Sequence, residues 1–240
     1  RRVPLIPSDL ADLQREKGLR FIVQPSPIRV FTDKEYRAAG LEVAEDLGPA
    51  GIVLAIKEIP VPLLQAGRVY VYFSHVIKGQ PYNMPMLGRL LELGCTLVDY
   101  EKIVDDQNRR LIFFSRHAGY AGMIETLCAL GQRQAWRGQR TAFAEARHAF
   151  EYTDLVSAKA HLAELGERFV REAVPGQTRP LVIGIAGYGN VSHGAQEVLA
   201  SLPVTEVAPA GLAAAAHDLG EDAPGILKVV FREEDMVRPT

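Results

Sequence analysis

The stretch that decides the fold is LVIGIAGYGNVSHGAQEVLASL, residues 181–202. It opens with an apolar run at 181–186, passes through a glycine-rich turn, and continues as a helical pattern at 190–202. Glycines let the backbone turn tightly and approach a phosphate group, and the N-terminus of the following helix supplies free N–H groups. This order of strand, turn and helix predicts the start of a nucleotide-binding α/β domain.

The turn departs from the common G-x-G-x-x-G spacing, because Ser192 occupies the third glycine position. The residues predicted to contact a dinucleotide are Gly187, Gly189, Asn190, Val191 and Gly194. A glycine-rich turn without any nucleotide is the alternative. Glu206 lies at the sequence distance expected for the acid that binds the adenine ribose. Ala208 is an alternative for the last residue of the same strand, so the direction of the Glu206 side chain stays open. The choice between NAD and NADP therefore stays open.

Short apolar runs also alternate with helical patterns in the first half of the chain, which is typical of a parallel sheet with crossover helices. The predicted strands are 21–24, 52–57, 69–74, 96–99 and 110–115, and the predicted helices are 8–17, 33–39 and 84–93. After the glycine turn, strands are predicted at 204–207 and 226–231, with a helix at 211–218. The fold class is thus α/β, with two Rossmann-like parallel-sheet domains.

Helical composition between these domains predicts a connector at 131–174, after a first domain at 1–130 and before a second at 175–240. The segment VPGQTRP, residues 174–180, is the clearest boundary because two prolines and a glycine end a helix. A doubly wound nucleotide domain needs about six strands, and about half of these fit here. We therefore expect a truncated second domain, in a fragment that has also lost its true N-terminus.

Composition excludes several classes of protein. The 240 residues carry 27 basic and 29 acidic side chains spread along the chain, so no basic stripe exists to bind nucleic acid. No stretch has the ~20 apolar residues of a membrane span, and no apolar signal region begins the chain. Cys95 and Cys128 lack the spacing of metal ligands. We expect a cytoplasmic protein with reduced thiols and no metal site.

Two ionisable residues follow apolar strands of the first domain. Lys57 comes after the run at 52–56, and His75 comes after the run at 69–74. Ligands in open parallel sheets gather at the carboxyl ends of strands, and a Lys beside apolar walls and a His can both exchange protons near neutral pH. The pair therefore suits proton transfer. A solvated loop lysine and a packed histidine are the alternative.

Several strings together resemble the lysine-ketoglutarate reductases, the lysine-forming saccharopine dehydrogenases of the alanine dehydrogenase and pyridine nucleotide transhydrogenase superfamily. The strings are RRVPLIPSDL, VQPSPIRVFTDKEY, LAIKEIP, SHVIKGQPYNMP, LVDYEKI, AGYAGMIE, GNVSHGAQE and EEDMV. The resemblance runs in order over nearly all of the chain and is weakest at 131–171. It favours this branch over alanine dehydrogenase itself.

The resemblance implies reductive condensation of L-lysine with 2-oxoglutarate to saccharopine, or its reverse, with NAD or NADP. It implies that Lys57 and His75 are the acid/base pair and that Arg2, Lys78 and Arg116 bind substrate carboxylates. The expected partners are small-molecule substrates, and a homo-oligomer or a downstream fused domain is compatible with the family. An alanine dehydrogenase-like enzyme for a smaller amino acid and a non-catalytic ligand-binding fragment are the alternatives.

Overall fold

The computed structural model describes residues 2–172, 180–219 and 225–237. The chain divides into two compact units, Arg1–Phe113 and Phe114–Thr240, called unit 1 and unit 2 below. The division falls before the boundary predicted at residue 130. Of the predicted boundary segment 174–180, all but the final proline lies outside the described residues. Within the described ranges, no helix combines the length and the apolar character needed to cross a membrane.

Unit 1 alternates strands and helices, as its apolar runs predicted. Its elements in chain order are α1 (Pro7–Lys17), β1 (Ile22–Val23), α2 (Asp33–Ala38), β2 (Glu42–Val43), β3 (Ile52–Leu54), β4 (Val69–Tyr72), α3 (Met84–Glu92) and β5 (Thr96–Asp99). Helix α1 ends where Gly18 adopts a left-handed conformation with φ of 65°. A reciprocal pair of hydrogen bonds between Thr32 and Glu35 caps the start of α2.

The strands of unit 1 are all parallel but form two separate sheets, β1-β2 and β3-β4-β5. Strand β4 is central in the larger sheet, and its alternate residues Tyr70 and Tyr72 are buried. They pack with Met86 and Leu90, which lie one helical turn apart on α3. This packing holds α3 against the β3-β4-β5 sheet. The three strands are parallel, so all of them end at the same edge of that sheet.

Unit 2 begins with two long helices, and the predicted glycine-turn segment follows them. Its elements are α4 (Ser115–Trp136), α5 (Leu155–Arg171), β6 (Leu181–Ala186), α6 (Asn190–Leu199), β7 (Val204–Glu206), α7 (Leu212–Asp218), β8 (Ile226–Phe231) and α8 (Glu233–Met236). Its sheet is parallel, in the order β6-β8-β7. Strand β8 is central, and its first four residues are buried. Sequence neighbours β6 and β7 are therefore not neighbours in the sheet.

The predicted helical connector is part of the unit 2 core. Leu127 of α4, Leu162 of α5 and Ile183 of β6 belong to one cluster of buried side chains. Helices α4 and α6 cross closely where Gly119 meets the backbone of α6. The described part of this segment, 131–172, thus does not form a separate region between two domains, because its buried side chains pack against the sheet of unit 2.

Most predicted elements are confirmed, with shifts of a few residues at their ends. The strand predicted at 110–115 is wrong. Asp105 closes a turn by accepting hydrogen bonds from the backbone N–H groups of Gln107 and Arg109. The chain after this turn forms a single antiparallel bridge, Val104 with Arg110, and then enters α4. Strand β2, at Glu42–Val43, was not predicted.

Candidate active site

Polar side chains collect at the carboxyl edge of the β3-β4-β5 sheet. Glu58 follows β3, His75 follows β4, and Glu101 follows β5. Ligand sites of parallel sheets occur at this edge, because side chains from several strand ends converge there. We call this group, together with Ser74, Lys78, Asn83 and Asp99, the His75 cluster.

His75 and Glu58 form the centre of the cluster. The Nδ1 atom of His75 lies 2.7 Å from Oε1 of Glu58, and Asn83 Nδ2 donates to the same oxygen at 3.3 Å. Burial opposes ionisation of Glu58, but hydrogen bonds from His75, from the backbone N–H of Glu58 and from Asn83 together outweigh it and hold the pKa of Glu58 below its usual value. An ionised carboxylate can only accept, so the neutral His75 ring must carry its proton on Nδ1. Its Nε2 is then the basic atom.

The backbone at His75 is held in an unusual conformation. His75 has φ of 55°, in the left-handed region that non-glycine residues seldom adopt. Asn83 stabilises this turn, since its Nδ2 also donates to the carbonyl of Ser74 at 2.9 Å. On the other side, the Ser74 hydroxyl donates to Asp99 at the end of β5. The left-handed turn aims the imidazole at Glu58 instead of continuing the strand.

Glu101 supplies a second, more buried carboxylate. Only 6% of the residue is exposed, and its Oε1 contacts Arg110 and lies 3.8 Å from Nζ of Lys78. Its other oxygen, Oε2, and Oε1 of Gln80 are buried without a hydrogen-bond partner. Buried acceptors of this kind are rare unless a water or ligand satisfies them. Within the cluster, Glu101 therefore keeps one acceptor oxygen without a partner.

The predicted residues of unit 1 differ in how the structure places them. His75 and Lys78 both belong to the cluster. Lys57 is exposed and takes part in none of the ion pairs found among the described residues, and it is the adjacent Glu58 that bonds to His75. Arg2 is exposed in the segment before α1. The sequence reasoning missed Glu58 and Glu101, although both follow strand ends as His75 does.

The glycine turn of unit 2 connects β6 to α6. Gly187 has φ of 99°, and its N–H donates to the carbonyl of Phe231 at 2.9 Å. Gly189 caps α6 without any side-chain hydrogen bond, so the first N–H groups of the helix keep their capacity to bind an anion. A Cβ built on either glycine would meet no atom within 4 Å.

A cavity of about 400 Å³ opens at this turn. Its lining includes the backbone of the turn, the start of α6 and the first residue of α4, namely Ser115, Ala186, Gly187, Gly189, Asn190 and Val191. No large side chain occupies this space. The residues present thus fit a dinucleotide phosphate group.

Two other predicted site residues, Gly194 and Arg116, lie where α4 contacts α6. A Cβ on Gly194 would lie 2.1 Å from the carbonyl oxygen of Arg116, so Gly194 is required for the crossing of α4 and α6. The Arg116 guanidinium donates to Glu197 at 2.8 and 3.2 Å. Hydrogen bonds from Tyr120 and Arg116 lower the pKa of Glu197. Arg116 is therefore already matched by a carboxylate, which argues against its predicted role in substrate binding.

Glu206 does not occupy the position that a ribose-binding acid needs. It ends β7, which β8 separates from β6, and its carboxylate forms a 2.7 Å ion pair with Lys228. Ala208 lies beyond the end of the same strand. Both cysteines are free thiols, and the described residues contain no group of three or more His, Cys, Asp and Glu arranged to hold a metal ion.

The model of the alanine dehydrogenase/PNT N-terminal domain matches residues 1–121. The chain belongs to this family. The fold of the chain is also that of a solved L-alanine dehydrogenase, with a TM-score of 0.56 and 19% sequence identity over 95% of this chain and 56% of that one. The two parallel-sheet units thus confirm the predicted α/β architecture.

Several curated proteins are similar to the chain over much of its length. Alpha-aminoadipic semialdehyde synthase of Arabidopsis thaliana is 40% identical over 88% of this chain and 20% of its own length. The synthase of Rattus norvegicus, described as mitochondrial, is 35% identical over 100% of this chain and 26% of its own length. The NAD⁺-dependent, L-lysine-forming saccharopine dehydrogenase of Yarrowia lipolytica is 26% identical over 80% of this chain and 51% of its own length. The chain therefore spans a fifth to a half of these relatives.

Proposed function

We propose that this chain belongs to an NAD(P)-dependent enzyme that condenses L-lysine with 2-oxoglutarate and reduces the product to saccharopine, or runs the reverse reaction. The observation that carries the proposal is the hydrogen bond between His75 and Glu58 at the carboxyl edge of a parallel sheet. A relative whose name specifies a lysine-forming saccharopine dehydrogenase supports the choice of substrates. The predicted cytoplasmic location stays a prediction.

The reaction needs several proton transfers. The ε-amine of lysine attacks the ketone carbon of 2-oxoglutarate, and the resulting carbinolamine loses water to give an imine. Each step moves a proton to or from nitrogen or oxygen, and a group within hydrogen-bond reach accelerates it. His75 is the group we assign to this role, since Glu58 holds the proton on Nδ1 and leaves Nε2 free to exchange one. Lys57, which precedes Glu58, is its proposed partner.

Both substrates carry carboxylates that need cations. Lys78 is half exposed, and its 3.8 Å contact with Glu101 is long enough for a substrate carboxylate to compete for the ammonium group. Arg2 is the second residue proposed to bind a substrate carboxylate, because a guanidinium can bind a carboxylate through two parallel hydrogen bonds. Arg116 stays a prediction for the same role, although its Nε and Nη2 already donate to Glu197.

The cofactor is proposed to bind at the glycine turn. When bound, its reduced nicotinamide supplies the hydride that converts the imine to a secondary amine. Gly187 and Gly189 leave room for the pyrophosphate, and the N–H groups at the start of α6, at Asn190 and Val191, would hold it. These residues bind and orient; they take no part in proton transfer.

The proposal is tested by turnover of the full-length gene product. Oxidation of NADH and NADPH is followed with lysine and 2-oxoglutarate together, with each alone, and with pyruvate plus ammonium. We expect oxidation only when lysine and 2-oxoglutarate are both present, with saccharopine detected by mass spectrometry. Oxidation with pyruvate and ammonium would instead favour the alanine dehydrogenase-like alternative. No oxidation with any pair would favour a non-catalytic ligand-binding role.

A further inference from the structure

A tryptophan is exposed at the end of α4 in unit 2. The inner face of this helix is buried, and it includes Met123, Leu127 and Gly131. Trp136, the single tryptophan of the chain, lies on the opposite face by the period of the helix and is 85% exposed. Tryptophan is highly buried on average, because its ring contributes a large apolar area. Such an exposure is informative when other exposed side chains extend it into a patch.

A second exposed aromatic ring lies on the same side of α4. Phe150 is 83% exposed and stacks on the His148 ring, with the ring centres 5.5 Å apart. The Nδ1 atom of His148 lies 2.8 Å from Oε2 of Glu125 in α4. Glu125 and Trp136 are about three helical turns apart, so they share one face of the helix. The two exposed rings are therefore separated by a distance on the order of 15 Å along that face.

Positive charge surrounds the two rings. Four arginines between residues 133 and 147 are exposed and take part in none of the ion pairs found in the part of the chain that the structure describes: Arg133, Arg137, Arg140 and Arg147. Arg133 comes three residues before Trp136, so their side chains are neighbours on the helix surface. Arg137 follows Trp136 directly, at the C-cap of α4. The end of α4 thus combines an exposed aromatic ring with unmatched cations.

The acidic side chains of the same region have other partners. Glu125 is bonded to His148, and Glu151 accepts a hydrogen bond from the His148 backbone N–H at 2.7 Å. Glu145 accepts hydrogen bonds from two guanidinium nitrogens of Arg168, at 2.8 and 3.0 Å. These carboxylates therefore do not pair with the four arginines. A carboxylate from another molecule would find the guanidinium groups free of ion pairs with the described residues.

We propose that Trp136, Phe150 and the four arginines, called the Trp136 patch below, are a docking surface for an acidic amphipathic helix of a partner protein. Two rings on the order of 15 Å apart match apolar side chains spaced along one face of such a helix. Aromatic residues and arginine are the residue types enriched at protein interfaces, and a guanidinium binds a carboxylate through two parallel hydrogen bonds. The patch shares no residue with the His75 cluster or the glycine turn, so the inference does not depend on the proposed function.

Single-stranded nucleic acid is the rival ligand, since it also binds to arginines beside aromatic rings. The acidic helix is favoured by the carboxylates next to Phe150. Glu151 follows Phe150 in the chain, and Glu125 lies beside the histidine on which Phe150 stacks. A phosphate backbone has a charge on every nucleotide and would be repelled there. A helix can instead place its apolar side chains at Phe150 and its carboxylates at the arginines.

The test uses the fluorescence of Trp136, which reports on this patch alone because the chain has one tryptophan. The 240-residue chain is titrated with three helical peptides that contain no tryptophan. The first has leucines along one face and glutamates elsewhere, the second has lysines in place of the glutamates, and the third is the first in scrambled order. Oligo(dT) is titrated in the same way. We expect a shift of the emission to shorter wavelength with the first peptide only, and weaker binding as salt is added.

Substitutions assign the binding to the patch. Arg133→Ala combined with Arg137→Ala should weaken binding of the glutamate peptide by about 3- to 30-fold, the loss of two exposed ion pairs. Arg133→Glu combined with Arg137→Glu should abolish it and create binding of the lysine peptide. Phe150→Ala should weaken it by about 5-fold or more. Arg37→Ala and Leu91→Ala, at exposed positions of unit 1, are the matched controls, and the melting temperature checks the folding of every variant.

Several results would overturn the inference. Tighter binding of oligo(dT) than of the glutamate peptide would assign the patch to nucleic acid. Equal binding of the glutamate and scrambled peptides, or binding of neither, would leave no docking surface for an acidic helix. Retained binding in Arg133→Glu with Arg137→Glu would exclude the arginines. A dimer of the chain in analytical ultracentrifugation that Phe150→Ala dissociates would show that a second copy covers the patch instead.

Discussion

The His75 cluster and the glycine turn achieve their arrangement by opposite means. In the cluster, side chains fix the arrangement, since Glu58 bonds to the His75 ring and Asn83 donates to the Ser74 carbonyl. At the turn, the absence of side chains creates the space, and backbone N–H groups supply the binding capacity. One region therefore depends on particular functional groups, and the other depends on small residues.

This difference determines which substitutions are informative in each region. In the cluster, a replacement that keeps the fold but removes one ionisable group should impair chemistry. In unit 2, a single added methyl group should either block a ligand or separate two helices, depending on the glycine chosen.

Loss of proton transfer is expected to have the largest effect. In the full-length gene product, His75→Ala and Lys57→Met should each lower kcat by ~10²–10⁴-fold with smaller changes in KM, because general acid–base catalysis contributes that much. Steady-state kinetics with lysine and 2-oxoglutarate measures this. His217→Ala is the matched control, since that side chain is 90% exposed. If His75→Ala behaves like the control, the cluster is structural only.

Packing of α4 against α6 provides the next contrast. A Cβ on Gly119 would lie 2.0 Å from the Val191 carbonyl oxygen, whereas a Cβ on Gly122 would meet nothing within 4 Å. Gly119→Ala should lower the free energy of unfolding by about 1–3 kcal/mol or more, as overpacking does. Gly122→Ala should raise it by up to about 1 kcal/mol, because alanine favours helix. Urea denaturation distinguishes them, and equal effects would refute the close crossing.

The smallest expected effect is a change in how stability depends on pH. The pKa of Glu58 is lower in the folded protein than its ordinary value of 4.5. The ionised carboxylate therefore stabilises the fold at pH values above 4.5, and this contribution disappears as the pH falls through the lower pKa of the folded protein. Glu58→Gln should therefore flatten the loss of stability in acid. Urea unfolding at neutral pH and below pH 4.5 tests this, with Glu16→Gln, an exposed carboxylate, as control. An unchanged acid profile in Glu58→Gln would contradict the bond to His75.

Local patterns were sufficient to predict much of the fold. The apolar runs at β5, β6 and β8 have the predicted limits, because each is bounded by a glycine, a proline or a charged turn. Residues 110–115 are apolar enough for the predicted strand. A strand also needs a neighbouring strand along its length, and here only one bridge forms, between Val104 and Arg110. The position of β8 between β6 and β7 likewise depends on pairing between distant segments, which a local pattern does not contain.

Local patterns predicted the candidate site to the same extent as they predicted the fold. The rule that ligands gather at strand ends identified His75, and applied to β3 and β5 it also reaches Glu58 and Glu101. Contacts between distant residues were beyond local reasoning. Arg116 and Glu197 are 81 positions apart, so nothing near Arg116 in the sequence indicates that its charge is matched. The crossing at Gly194 is hidden for the same reason.

The most direct test of the prearranged His75 cluster is the tautomer of His75 in the 240-residue chain. Nitrogen-15 NMR of the labelled protein at alkaline pH distinguishes protonated from unprotonated ring nitrogens. An ionised Glu58 at 2.7 Å predicts a proton on Nδ1 and a bare Nε2, with this preference lost in Glu58→Gln. A proton mainly on Nε2, or the same tautomer mixture in wild type and Glu58→Gln, would contradict the account.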